Sequence, residues 1–383
     1  MSYNGMRVFD SDMHVFEPAD LWQRYMDPEW RHVAPVGLTE MKRDMRVRVK
    51  SHIMLRLGAV QPRRDGQGSA WNAQQDAAFA AAEARGWDAT SQNMAMEAEG
   101  IDRAVMFPSR GLFVLGLDAQ SVVGYDGLEG ELAAAIARAY NDWLHDFCAE
   151  YPGSMFAAGM IAPHDVALAV REVERIAGRG FRAIYMLPGC VNRRPWYHSA
   201  YDPLWDACQR HNLAVTFHGG GQTHLKPDFS LEVLDKLSLW HVFNQPLGIM
   251  TAVACMAGGG VLARFPQLRV GFLEGNCGWA PWFLARLDEH WEWVGRYETP
   301  ELQEKPSEYF RRSCFLSVEA EEDTVKDYVS WLGDDSLVFS TDYPHADSKF
   351  PESLPYFQRL PLADASRRKV LWSNCARLYN FTD

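Results

Sequence analysis

The chain has 383 residues, 47% of them hydrophobic and 23% charged, and its 38 Lys and Arg stand against 50 Asp and Glu for a formal net charge of −12. A chain of this length buries roughly three quarters of the surface its unfolded form exposes, which excludes intrinsic disorder and any small scaffold that needs disulfides or a structural metal to hold a core. Acid is in excess and no block of five Lys or Arg occurs, so nucleic acid and anionic membranes are excluded as partners, both being held mainly by basic charge; a small molecule or another protein remains.

The N-terminus carries Asp10, Asp12 and Glu17 and no apolar run ahead of a cleavage site, and no run of eighteen apolar residues follows, so the expectation is a soluble, cytoplasmic protein. Met6–Asp10 predicts the first strand. Residues 20–99 are charged, punctuated by Gly and Pro at 62–68 and poorly periodic over 40–69, and they read as an inserted cap or arm, either over the site or serving oligomerisation. Strands then alternate with helices: Arg103–Pro108, helix Leu132–Tyr151, Ser154–Ile161, helix Ala167–Ala177, Phe181–Leu187, helix Pro203–His211, Ala214–His218, helix Pro246–Phe265, Val270–Glu274, helix Pro281–Tyr297, Cys314–Glu319, helix Glu321–Leu332, Leu337–Asp342 and helix Ala363–Leu378. Eight strands separated by helices imply parallel pairing and favour an α/β fold, a (β/α)8 TIM barrel over residues 1–383 with a long insertion between strands 1 and 2; an open doubly wound sheet is the competing arrangement. The seven cysteines show no C-x-x-C pair and read as buried free thiols in a reducing compartment.

Several strands end in a ligand-type residue where a barrel gathers its active site. Asp12 and His14 alternate to one face of the first strand. His218, Glu274, Glu319 and Asp342 end the fifth to eighth strands. Singly, His218 is as well explained by a structural hydrogen bond and Asp12 by a cap. Together they would be costly to bury without a cation, and imidazole nitrogen with carboxylate oxygen suits Zn, Mn or Fe with an open position for water or substrate.

At these residues the chain resembles the amidohydrolase superfamily, in the amidohydrolase-related branch of aminocarboxymuconate semialdehyde decarboxylase and the aromatic-acid decarboxylases. The resemblance runs from Phe9 to the last helix through Asp10-Ser11-Asp12-Met13-His14-Val15-Phe16-Glu17-Pro18, Phe217-His218-Gly219-Gly220, His241-Val242-Phe243-Asn244-Gln245-Pro246, the block from Arg264 to Trp279, and Ser340-Thr341-Asp342-Tyr343-Pro344-His345. It implies that Asp12, His14, His218 and Asp342 hold the metal and that Asp342 is the general base; Glu274, from its place on the rim, either ligates the metal or polarises the substrate. Two departures stand out: Asp12 where hydrolytic relatives often have His, and Glu274-Gly275-Asn276 where the decarboxylase pattern has His-Gly-Gly. Harder oxygen ligands shift preference from Zn towards Mn or Fe. Counting Asp12, Glu274, Glu319 and Asp342 with His14, His218 and His241, the rim has enough donors for a dinuclear Fe/Mn site.

The remaining candidates each have two readings. His345 either reaches the rim from its loop or is solvent-exposed; Glu17 either orients the first-strand ligands or is a helix N-terminal acid; His241, after a helical pattern at 231–239, is either a catalytic rim donor or a core histidine. Gly219–Gly221 and Gly258–Gly260 lack a phosphate-loop pattern, and the first lets backbone pass close to His218. Trp196, Trp240, Trp279 and Trp282 read first as core or interface. The expected function is metal-dependent hydrolysis or decarboxylation of a small organic acid or amide. The alternatives are a dinuclear monooxygenase component served by redox partners, and a non-catalytic barrel assembled with a related chain as a homo- or hetero-oligomer.

Overall fold

The computed structural model describes residues 3–54, 69–116, 127–219 and 236–382. The Gly/Pro stretch at 62–68, Gly220, Gly221 and the start of the helical pattern at 231–235 lie outside those residues. Eight strands form the central sheet: β1 (Phe9–His14) pairs with the strand after the first connection, and the order then follows the chain. Between them lie α1 (Leu21–Tyr25), an antiparallel sheet of β2 (Val36–Gly37), β3 (Val47–Val49) and β4 (His52–Met54), then α2 (Ser69–Ala84) and α3 (Ala89–Glu99). The other seven central strands are β5 (Arg103–Phe107), β6 (Met155–Met160), β7 (Ala183–Met186), β8 (Ala214–His218), β9 (Val270–Leu273), β10 (Cys314–Val318) and β11 (Leu337–Phe339). All seven pairings are parallel. Their residues are almost all buried on both faces, which is why they read as continuous apolar runs.

The sheet closes into the (β/α)8 barrel. The His14 N–H donates to Tyr343 O at 2.6 Å and the Asp342 N–H to Asp12 O at 3.3 Å, so the chain leaving β11 runs beside β1. An open sheet has no such contact. Helices α4 (Gly130–Ala149), α5 (Val166–Ala177) and α6 (Asp202–Arg210) cover the outside within two residues of expectation, because each carries an apolar face at helical spacing.

Three expectations move. The first strand is Phe9–His14, not Met6–Asp10: its polar residues are wholly buried, so alternation of polarity does not mark its end. The helix expected from Pro246 begins earlier, as α7 (Leu237–Val253), and keeps Pro246 in its interior. The helix expected from Glu321 starts at Val325, after a turn held by Glu322. All seven cysteines are free, six of them buried. No helix among the described residues is long and apolar enough to cross a membrane.

Candidate metal centre

The carboxyl ends of the strands place Asp12 and His14 on β1, His218 as the last residue of β8, Glu274 directly after β9 and Asp342 shortly after β11. A register shift in β1 between Asp10 and Met13 re-aims the strand where its two donors sit. The His14 ring is fixed by Nδ1, which donates to Pro108 O at 2.6 Å, and the His218 ring by Nδ1, which donates to Gly219 O at 2.8 Å. Both Nε2 atoms therefore face the same space, 3.0 Å apart. A Cβ on Gly219 would lie 2.6 Å from Glu274 O, so the close backbone passage beside His218 needs glycine.

Carboxylates complete the set. Asp12 Oδ1 lies 3.4 Å from His14 Nε2, Asp12 Oδ2 lies 3.2 Å from His218 Nε2, and Asp342 Oδ1 lies 3.3 Å from His14 Nε2. Glu274 Oε2 approaches His218 Nδ1 at 3.3 Å, while its Oε1 accepts from Gln245 Nε2 and its backbone N–H donates to Ser317 Oγ. His345 enters from the loop after β11, with Nδ1 2.7 Å from Asp342 Oδ1, Nε2 3.1 Å from Ser109 Oγ, and its ring 3.9 Å from that of His14.

The donor set fits a divalent cation. Both oxygens of Asp12, Glu274 Oε2 and Asp342 Oδ1 are buried and lie 2.7 to 3.4 Å from imidazole nitrogens of the same cluster. Bare buried carboxylates facing imidazole lone pairs are unfavourable unless a cation offsets them. The spacing agrees, since two ligands about 2.1 Å from one ion and at right angles to each other lie about 3.0 Å apart. The donors form two overlapping groups, Asp12, His14 and His218, and His14, Glu274, Asp342 and His345, which share His14.

The titration behaviour of the bare cluster has the same origin. Burial, helped by the charges of His345 and His218, holds His14 well below its usual range. Burial acts downward on His218 too, but Asp12 and Glu274 outweigh it and bring that imidazole up to about 10, a proton serving where a cation would. Burial raises Glu274 to about 7 against the pull of His218 and His345. Asp342 is pushed well above the carboxylate range by burial first and then by Glu274, Asp347 and Asp12.

Three sequence candidates stand apart from the cluster. Glu17 does not touch the first-strand donors: its carboxylate accepts from the backbone N–H groups of Ser109, Arg110 and Gly111 at 2.8 to 3.2 Å. It thereby fixes the loop that supplies Pro108 O to His14 and Ser109 Oγ to His345. His241 sits on α7 at the cavity mouth, part-exposed and 3.8 Å from Asp347. Glu319 lines the cavity wall outside both donor groups. Pro108, Ser109, Gln245 and Ser317 were given no role by the sequence. Asp10 is also buried and ties β1 to the end of β11 by accepting from Thr341, with burial pushing it up to about 8.

Comparison with known proteins agrees with this geometry. The Amidohydrolase family model matches residues 10–381. A gamma-resorcylate decarboxylase from Polaromonas sp. is 24% identical over 277 residues, which are 70% of this chain and 82% of that protein. Among solved structures, an amidohydrolase from Mycobacterium avium subsp. paratuberculosis superposes with a TM-score of 0.76 at 20% identity over 98% of both chains. A dihydroxybenzoic acid decarboxylase from Polaromonas sp., solved with manganese and the inhibitor 2-nitroresorcinol, does so with a TM-score of 0.63 at 16% identity, over 99% of this chain and 97% of that one.

Proposed function

The chain belongs to the amidohydrolase family, and from that premise we propose that it is a divalent-metal-dependent decarboxylase of a small organic acid. The observation that carries this reading is the convergence of Asp12, His14, His218 and Asp342, whose buried carboxylate oxygens face the imidazoles of the same cluster. The gamma-resorcylate decarboxylase relative supports the reaction, and the manganese-containing neighbour supports the metal.

Asp12, His14 and His218 hold the metal, with Asp342 and Glu274 at the edge of the set. A divalent cation there supplies fixed positive charge against which an acid's oxygens are positioned. In decarboxylation the bond from the carboxyl carbon to the rest of the molecule breaks, the electron pair stays on the remaining carbon, and a proton reaches that carbon as carbon dioxide leaves. Asp342 is the residue assigned to hold and move that proton, since its carboxylate faces the cavity. His345 and Ser109 orient it. Gln245 keeps Glu274 turned to the site.

Manganese-loaded protein offered a panel of aromatic and unsaturated carboxylic acids, gamma-resorcylate among them, is expected to release carbon dioxide without consuming oxygen. Release of amine from amides with no carbon dioxide from any acid moves the reaction to hydrolysis. Oxygen uptake that requires substrate and reductant moves it to the monooxygenase alternative.

A further inference from the structure

The helix that follows β9 runs without a break from Ala280 through a π-turn at Trp291–Gly295 to Glu298. Its inner side packs on the barrel through Leu284, Leu287 and Trp291. Its outer side carries the three most exposed aromatic side chains among the described residues: Trp282 is 62% exposed, Trp293 75% and Tyr297 71%. Arg286, Glu289 and His290 lie between them, at steps of three or four residues that keep the set on one face. The aromatic rings leave on the order of 400 Å² of surface in water, as much as the largest apolar patch on an ordinary monomer.

This face reads alike from its two ends. About the midpoint between Glu289 and His290, Arg286 and Trp293 are equidistant, and so are Trp282 and Tyr297. A helix that crosses its own copy antiparallel on a two-fold axis requires such a pattern, because residue i meets j wherever j meets i; an unrelated partner does not. We propose that this face is a contact between two copies of the chain, with Glu289 against the partner's His290, Arg286 over the partner's Trp293 and Trp282 packed on the partner's Tyr297. The pairs are an acid with an imidazole, a guanidinium with the best cation–π acceptor, and two aromatic rings. Charge does not oppose the contact. Between Trp282 and Tyr297 the exposed charges are Arg286, Glu289, Glu292 and Arg296, which balance on a chain whose formal charge is −12. The aromatic surface supplies about half of the roughly 800 Å² that each partner buries in a stable interface, and the polar residues around it supply the remainder. The contact is independent of the reaction at the metal centre.

Sedimentation velocity of the manganese-loaded protein reads the mass, which is expected to be twice the 43.5 kDa of one chain or a higher even multiple. Trp293→Glu is expected to raise the dissociation constant at least about 30-fold, the loss that marks a binding hot spot, and so to halve the mass while leaving the circular dichroism spectrum unchanged. Arg286→Glu is expected to weaken the same association. Cross-linking reads the register. Glu289→Cys, beside the axis, is expected to join its own copy through a short bismaleimide, whereas Tyr297→Cys is not, because antiparallel crossing sets the two copies of position 297 about 22 Å apart along the helices. A wild type that stays monomeric at the highest soluble concentration overturns the contact, as does a dimer that both charge variants leave intact. Cross-linking at position 297 without any at 289 overturns the antiparallel register. A monomer whose tryptophan fluorescence shifts on neutral phosphatidylcholine vesicles makes the face a membrane contact and overturns the proposal as well.

Discussion

Glu274 and Asp342 both occupy the left-handed region, at φ +49° and +56°. A side chain there crowds the backbone at a cost of about 1–3 kcal/mol, and two such residues bracketing one cavity mark it as a place where geometry was fixed against local preference. Asp342→Asn removes the charge and the proton carrier while keeping shape, so turnover is expected to fall at least about 100-fold. The melting temperature of the metal-free protein should stay level, because burial already holds Asp342 well above the carboxylate range and Asn keeps its shape; calorimetry beside a carbon dioxide assay reads both. At this scale much of the site was legible: Asp12, His14, His218, Glu274 and Asp342 stand at strand ends, and a strand end in a barrel has a known destination. Their supports were not. A backbone carbonyl such as that of Pro108 has no sequence signature, and Ser109 meets His345 only because the barrel closes across 236 residues.

Between elements, two buried polar anchors fix the rim. Asn141 on α4 accepts from the Met160 N–H at 2.7 Å and donates to Met160 O at 2.9 Å and Glu172 Oε1 at 2.7 Å, tying the helix to the end of β6. Asn141→Ala strands a buried donor and acceptor and is expected to cost about 3 kcal/mol in chemical denaturation. Glu17→Ala leaves three backbone N–H groups of the 109–111 loop without their acceptor, with a loss of at least about 3 kcal/mol. Because that loop orients His14 and His345, manganese affinity should fall about 10- to 100-fold, the usual effect of removing a group that positions a ligand, and Glu17→Gln should recover part of it. The elements that escaped the sequence share a cause. The strands β2, β3 and β4 are two or three residues long, too short for a period-2 pattern to declare itself. Pro246 reads as a helix start because its missing N–H is harmless in a first turn, yet α7 carries it internally and presents Gln245, one residue before it, to Glu274.

For the molecule as a whole, the barrel was readable because the central strands are apolar runs buried on both faces and the helical patterns carry one apolar face, eight strands and seven helices in alternation after the insertion. Eight strands favour closure over the open sheet that offers the same alternation, and the contacts between β1 and the chain after β11 bear the closed arrangement out. Closure also explains why a cation should stabilise the fold: the donors come from opposite ends of the chain, so an ion bound to them favours the closed barrel over the unfolded chain. Manganese at 100 times its dissociation constant adds about 2.7 kcal/mol, which for a chain of this size raises the melting temperature by about 3 °C, and a chelator should reverse the rise. The most direct measurement is the manganese content per chain after desalting, compared among wild type, Asp12→Asn and His218→Gln. The expected result is a bound equivalent in the wild type that is lost from both variants; full retention of manganese in both would contradict the placement of the metal centre.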